Sequence, residues 1–210
     1  MHGNDLKGIV LTLALVGLCW AVTLFIKNKK LFGPMSAEVG RKILHIGVSN
    51  FAFIYLYVFE SWYIPFAGLL GFAVMNVFVE LRTDMGRGWG MVEYPLVSAL
   101  MILLVHLGVG TPRAFAAALL GMGYGDGLAP LAGRAVKSPV IPGTRGKTLS
   151  GSAVLFAAVF IVCLAVTGLG AGACLLTALL AAAAEAWTPF GLDNVSLPLV
   201  VFAMTGIVYV

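Results

Sequence analysis

The chain is 210 residues long; 60% of them are hydrophobic, 10% are charged, and the net charge is +4. A soluble domain carries about 25% charged residues, so this chain cannot cover a water-soluble globule with polar groups, and it is too apolar to be disordered. What remains is an integral membrane protein, and at ~20 residues per crossing the chain holds at most about eight spans, with no room for a separate soluble domain.

Residues 8–26 form a continuous apolar run followed by Lys27, Lys29 and Lys30. A secretory signal puts its positive charge before the run and a cleavage site after it. The reverse order here predicts a retained first span. The second run covers residues 43–59. The third, residues 62–81, is made irregular by Pro65 and Gly68. The fourth covers residues 94–109. The fifth, residues 113–133, is broken by Gly121, Gly123, Gly125, Asp126, Gly127 and Pro130. A polar loop, residues 134–152, leads to the sixth, seventh and eighth runs at 153–169, 171–187 and 197–210. None shows the two-residue alternation of strands or of a membrane barrel. The expected fold is all-α: a polytopic membrane protein with about eight transmembrane helices in one domain, residues 1–210. Cys19, Cys163 and Cys174 lie singly in apolar stretches. Without a spacing pattern they read as packing residues, not as disulfide or zinc ligands.

Loops after odd-numbered spans hold Lys27, Lys29, Lys30, Arg41, Lys42, Arg82, Arg87, Arg134, Lys137, Arg145 and Lys147, whereas loops after even-numbered spans hold Arg113. This bias places the basic loops in the cytoplasm and both termini outside. It accounts for the basic excess without invoking nucleic acid. A plasma membrane of the bacterial inner-membrane type is the expected location.

The same topology gathers the other polar residues on the cytoplasmic face. Arg41, Lys42 and His45 share one side of a helix by their three- and four-residue spacing; a snorkelling topology signal explains the first two but not His45. Asn76 and Glu80 are four apart, and Arg82 follows them. Asp126 sits among glycines that let a backbone or a phosphate approach its carboxylate. Lys147 and Arg145 precede a helix opening with Thr148, Ser150, Gly151 and Ser152, and a helix N-terminus favours an anion. The loop is not a P-loop, because the position six before Lys147 is Ile141 instead of Gly. Glu185, Asp193 and Asn194 complete the face. Acids and bases mixed at one shallow site suit a magnesium nucleotide: carboxylates hold the hard cation, and Arg and Lys hold phosphate oxygens.

Four motifs in order resemble the polyprenol kinase family of dolichol kinases, phytol kinases and CTP-dependent diacylglycerol kinases, which is related to the phosphatidate cytidylyltransferases. They are Arg41-Lys42-Ile43-Leu44-His45; Gly125-Asp126-Gly127 with Gly133-Arg134; Gly146-Lys147-Thr148-Leu149-Ser150-Gly151-Ser152; and Glu185 with Asp193-Asn194 and Pro198. The resemblance runs from about Gly40 to the C-terminus; at position 150 this chain has Ser where many relatives carry Glu. It implies a membrane-embedded kinase that phosphorylates a lipid alcohol from CTP with a divalent metal. The expected assignment gives Mg2+ to Asp126 with Glu185 or Asp193. The phosphates go to Arg41, Lys42, Arg134, Arg145, Lys147, Thr148, Ser150, Gly151, Ser152 and Asn194. Asp126, His45 or Glu80 serves as base. The expected partners are the lipid alcohol, CTP and the bilayer; the oligomeric state is left open. The competing readings are a cytidylyltransferase making a CDP-lipid and a small-anion transporter.

Overall fold

The computed structural model describes residues 3–82, 90–188 and 192–209; Arg87, counted above for orientation, lies outside them. The helices are α1 (Gly3–Lys29), α2 (Ser36–Ser49), α3 (Phe51–Tyr57), α4 (Tyr63–Arg82), α5 (Gly90–His106), α6 (Pro112–Ala135), α7 (Leu149–Val166), α8 (Ala171–Trp187) and α9 (Asp193–Ala203). A 3-10 turn, Gly33–Met35, precedes α2, and a π-helical turn, Met204–Val208, follows α9. Among the described residues the β pairing is one isolated bridge, Val140 to Thr148. The all-helical expectation therefore holds. Three helices, α1, α4 and α7, are long and apolar enough to cross a membrane. α5, α8 and α9 with its following turn are apolar but shorter. Leu13, Leu18, Val74, Phe78 and Ile161 stand exposed on these helices.

Two expectations are corrected. The second apolar run is two helices, because α2 ends at Ser49 and α3 starts at Phe51. The Asn50 side-chain amide donates to the carbonyls of Ile46 (2.8 Å) and Gly47 (3.2 Å), competing with the helix's own ladder. The Tyr124 hydroxyl donates to Asn50 Oδ1 at 3.2 Å and holds the break against α6. The fifth run, expected to be broken, is the single 24-residue helix α6. Its start is well specified: Pro112 occupies the first turn, and the Thr111 side chain accepts from Ala114 N at 3.0 Å.

The glycines of α6 serve close packing. Gly123 and Gly127, one turn apart, face α2, where a Cβ would strike Ser49 or Ile46. Gly121 and Gly125 face α7, against Val159 and Leu155. The close approach of neighbouring helices at these glycines offsets the helix-propensity cost of ~1 kcal/mol per glycine. α6 is thus the hub, packed against α2, α3, α5, α7 and α9. Its residues Ala114, Phe115, Ala116, Ala117 and Ala118 are completely buried. With Met101, Ile102, Leu155, Val159, Val201 and Phe202 they fill the middle of the bundle with apolar side chains.

One approach is backbone to backbone. A Cβ at Gly151 would lie 2.9 Å from the Ala129 carbonyl oxygen, which cannot swing aside as a side chain can. Gly151→Ala should therefore wedge α7 from α6 and destabilise by about 1–3 kcal/mol, read as a lower melting temperature in detergent. Gly68→Ala, where a Cβ meets nothing within 4 Å, should not lower it. A neutral Gly151→Ala would contradict this contact.

With α2 and α3 taken as one broken helix, helix direction alternates along the chain. The N-terminal ends of α2, α5, α7 and α9 meet the C-terminal ends of α1, α4, α6 and α8, as the bonds Thr23 to Gly40 O, Asn76 to Met91 O, Lys42 to Asp126 and Lys147 to Glu185 record. At the opposite end Asp5 is fully buried and accepts from the Glu60 and Ser61 amides and the Ser61 hydroxyl. His106 stacks there on Trp62, with ring centroids 3.9 Å apart. All three cysteines are free and buried.

Candidate active site

Glycine spacing on α6 brings α2 close enough for Lys42 to reach Asp126. The Lys42 ammonium donates to Asp126 Oδ2 at 2.8 Å and to the Asp126 carbonyl at 2.9 Å. Lys42 is buried, and its side chain is 5% exposed against 14% for Asp126. His45, one turn along α2, points Nε2 at Asp126 Oδ2 from 3.7 Å. That separation is too long for a hydrogen bond.

The loop before α7 supplies the second cation. Ile141 N donates to Lys147 O at 2.8 Å and Leu149 N to Pro139 O at 3.0 Å, which folds residues 139–149 back on themselves. Gly143 and Gly146 turn the chain at φ of 77° and 83°, the left-handed region that glycine enters without strain. Thr148 then caps α7 by accepting from Gly151 N at 3.3 Å. Lys147, just outside the cap, hydrogen-bonds Glu185 of α8 and reaches Asp193 Oδ2 of α9 at 3.1 Å. Burial opposes the Lys147 charge, but Glu185 and then Asp193 outweigh it and hold its pKa above the ordinary value.

The two pairs form one cluster. One carboxylate oxygen from each of Asp126, Glu185 and Asp193 lies within 4.8 Å of the other two. Three carboxylates against two ammoniums leave one net negative charge. Hard oxygen donors at this spacing fit a divalent cation of the magnesium type. The first turns of α7 and α9, which adjoin Lys147 and Asp193, favour an anion beside it.

The remaining sequence candidates divide. Asn194 follows Asp193, donates its backbone amide to Asp193 Oδ1 at 3.1 Å, and packs its side-chain amide on Gly90 at the start of α5. Ser152, in the first turn of α7, has a buried hydroxyl with no partner. Thr148 is engaged as the cap. Ser150 is tied to Ser138, whose hydroxyl donates to Ser150 Oγ at 2.7 Å and accepts from Ser150 N at 3.0 Å. Gly151 serves the α6–α7 contact. Arg41, Arg134 and Arg145 are exposed at the rim. Glu80 stands apart on α4 and is not one of the clustered carboxylates, Asp126, Glu185 and Asp193.

Two residues escaped the sequence reading. Glu93 and Tyr94 open α5 beside the cluster. Glu93 is near enough to Asp193 for their charges to repel, and the Tyr94 ring lies 5.0 Å from the His45 ring. The signal was the same alternation of ends that gathered the other motifs, applied to the start of the fourth run. Neither a family model, nor a curated protein, nor a solved structure matches this chain.

Proposed function

We propose that this chain is a polytopic membrane protein of about eight spans and a kinase that phosphorylates a lipid alcohol at the cytoplasmic surface, with CTP as the nucleotide that the motif resemblance suggests. The observation that carries the reading is the cluster itself: Lys42–Asp126 and Lys147–Glu185–Asp193 in one partly buried group of mixed charge beside the first turns of α7 and α9. Phosphoryl transfer asks a protein mainly for positioning and charge neutralisation, and these residues supply both.

Asp126, Glu185 and Asp193 would hold Mg2+, which when bound neutralises phosphate charge. Lys147 and the N-terminal turn of α7 hold the nucleotide phosphates, with Arg41, Arg134 and Arg145 at the rim drawing the anion in. Lys42 keeps Asp126 ionised and in place. The acceptor hydroxyl oxygen attacks the γ-phosphorus. An O–P bond to the lipid forms while the bond to the β–γ bridging oxygen breaks, and its electron pair leaves with the nucleoside diphosphate. His45 Nε2 is placed to take the hydroxyl proton, with Asp126 stabilising the imidazolium. Exposed apolar side chains on α1, α4 and α7 suit acyl chains rather than water. The apolar layer around Phe115, Met101 and Leu155 favours a one-sided site over a small-anion pathway, which needs polar groups through the full depth.

The decisive experiment incubates purified protein and Mg2+ with each γ-labelled NTP and a panel of lipid alcohols. Labelled lipid phosphate with a nucleoside diphosphate supports the kinase. Pyrophosphate and a CDP-lipid from a lipid phosphate replace it with a cytidylyltransferase. The orientation has its own test: in right-side-out vesicles a membrane-impermeant thiol reagent should miss a cysteine placed at Lys137 and label one placed at Thr111. Background labelling is expected to be low, since all three native cysteines are buried. The opposite pattern removes the cytoplasmic assignment.

A further inference from the structure

Among the described residues, buried side-chain atoms without a hydrogen-bond partner occur at His45 Nε2, Glu93 Oε2, Tyr94 OH and Ser152 Oγ, and all four residues lie at the site end. Native proteins rarely leave such groups unpaired, because each forfeits its hydration without return. Chance would scatter them; here they share the end of the bundle that holds the carboxylate cluster.

Tyr94 and His45 stand out. Tyr94 is 8% exposed and embedded in the apolar core, yet its hydroxyl finds no partner among the described residues. Its ring is tilted 53° to the His45 imidazole across the seam between α2 and α5. His45 in turn faces Asp126 without touching it. The cations are engaged elsewhere, Lys42 by Asp126 and Lys147 by Glu185 and Asp193. What the seam offers is a phenol, able to donate and accept, beside an imidazole. Glu93 next to it would repel an anion.

We infer that Tyr94 and His45 form the acceptor subsite, which takes one neutral hydroxyl on an apolar chain and disfavours a lipid phosphate. The inference rests on the kinase reading and deepens it, since it commits the acceptor to a neutral alcohol. Tyr94 OH donates to the acceptor oxygen and fixes its direction; the chain of the alcohol lies along the apolar face of the α2–α5 seam.

Tyr94→Phe tests this, because phenylalanine keeps the ring packing and removes only the unpartnered hydroxyl. In detergent without lipid the variant should melt at the wild-type temperature or above it. Its apparent affinity for the lipid alcohol, or its rate at saturating alcohol, should fall on the order of ten- to a hundred-fold. Nucleotide dependence at saturating alcohol should not move. Unchanged alcohol parameters overturn the subsite even if the kinase reading stands. A binding measurement separates the two failures. Hexadecanol should raise the melting temperature of wild type more than that of Tyr94→Phe, and hexadecane, which has no oxygen to accept from the phenol, should act equally on both. Should wild type transfer phosphate to no alcohol, the kinase reading falls, and this melting comparison alone decides the subsite: equal hexadecanol shifts in the two proteins reject it.

Discussion

Asp126→Asn is expected to lose turnover by at least ~10²–10³-fold, the scale seen when one group that stabilises transition-state charge is removed. Asparagine keeps the size and one acceptor but removes the charge that would hold a cation with Glu185 and Asp193. The fold should feel the change as well. The Lys42 side chain is 5% exposed and is bound to this carboxylate at 2.8 Å. Removing one partner of a buried ion pair costs about 3–5 kcal/mol, because the other charge stays behind without compensation. The Asp126 carbonyl, which also accepts from Lys42, offsets part of that. Lys42→Met combined with Asp126→Asn should recover most of the melting temperature and none of the activity. Near-normal rate with Mg2+ in the single variant would refute the site. A double variant less stable than the single one would refute the pair as a buried charge couple.

Lys147→Ala should separate nucleotide use from cation use. Loss of one charge-assisted contact to a phosphate is worth roughly 1.5–3 kcal/mol, or about ten- to a hundred-fold in apparent CTP affinity or rate. Lys147→Arg should restore part of it, since charge returns with a different geometry. Cation dependence should move the other way. The ammonium lies on Glu185 and Asp193, two of the three clustered carboxylates, so it competes with a metal for them. Without it, Mg2+ should raise the melting temperature at lower concentration than in wild type. In the absence of metal the variant should be less stable, because Glu185 is 3% exposed and loses its counter-charge. The loss should fall short of the ~3–5 kcal/mol of a fully buried pair, since the Lys147 side chain keeps 31% of its exposure and is partly screened. Equal Mg2+ titrations in the two proteins would show that lysine and metal do not share a seat.

How far the chain could be read without coordinates differs from residue to residue. Lys42, His45 and Asp126 were legible as one group, because helical spacing put the first two on one side and loop charge put the third at the same end. Arg41 was grouped with them on the same grounds, yet it is exposed while Lys42 is buried; one residue of helix rotation, 100°, separates the pocket from the rim. Glu80 lies apart from the three clustered carboxylates for a related reason: α4 packs on α5, outside the ring of helices around α6. Tyr94 was invisible because a tyrosine at the start of an apolar run reads as packing, and its unpartnered hydroxyl appears only in three dimensions.

Sequence alone determined the all-helical class and the end at which each polar motif lies. Both follow from local quantities: apolar runs of helical length, the absence of two-residue alternation, and Lys and Arg sorted between alternate loops. Tertiary structure decided which charges meet. Gly123 and Gly127 set the distance from α6 to α2, Gly125 and Gly151 the distance between α6 and α7, and those approaches select Lys42 for Asp126 and Lys147 for Glu185 and Asp193. They also keep α6 a continuous helix where glycine content alone predicted a break. The physical reason is that helix propensity is a local term of about 1 kcal/mol per glycine, whereas the packing that a missing side chain permits belongs to the neighbour, and the chain does not name its neighbours in order.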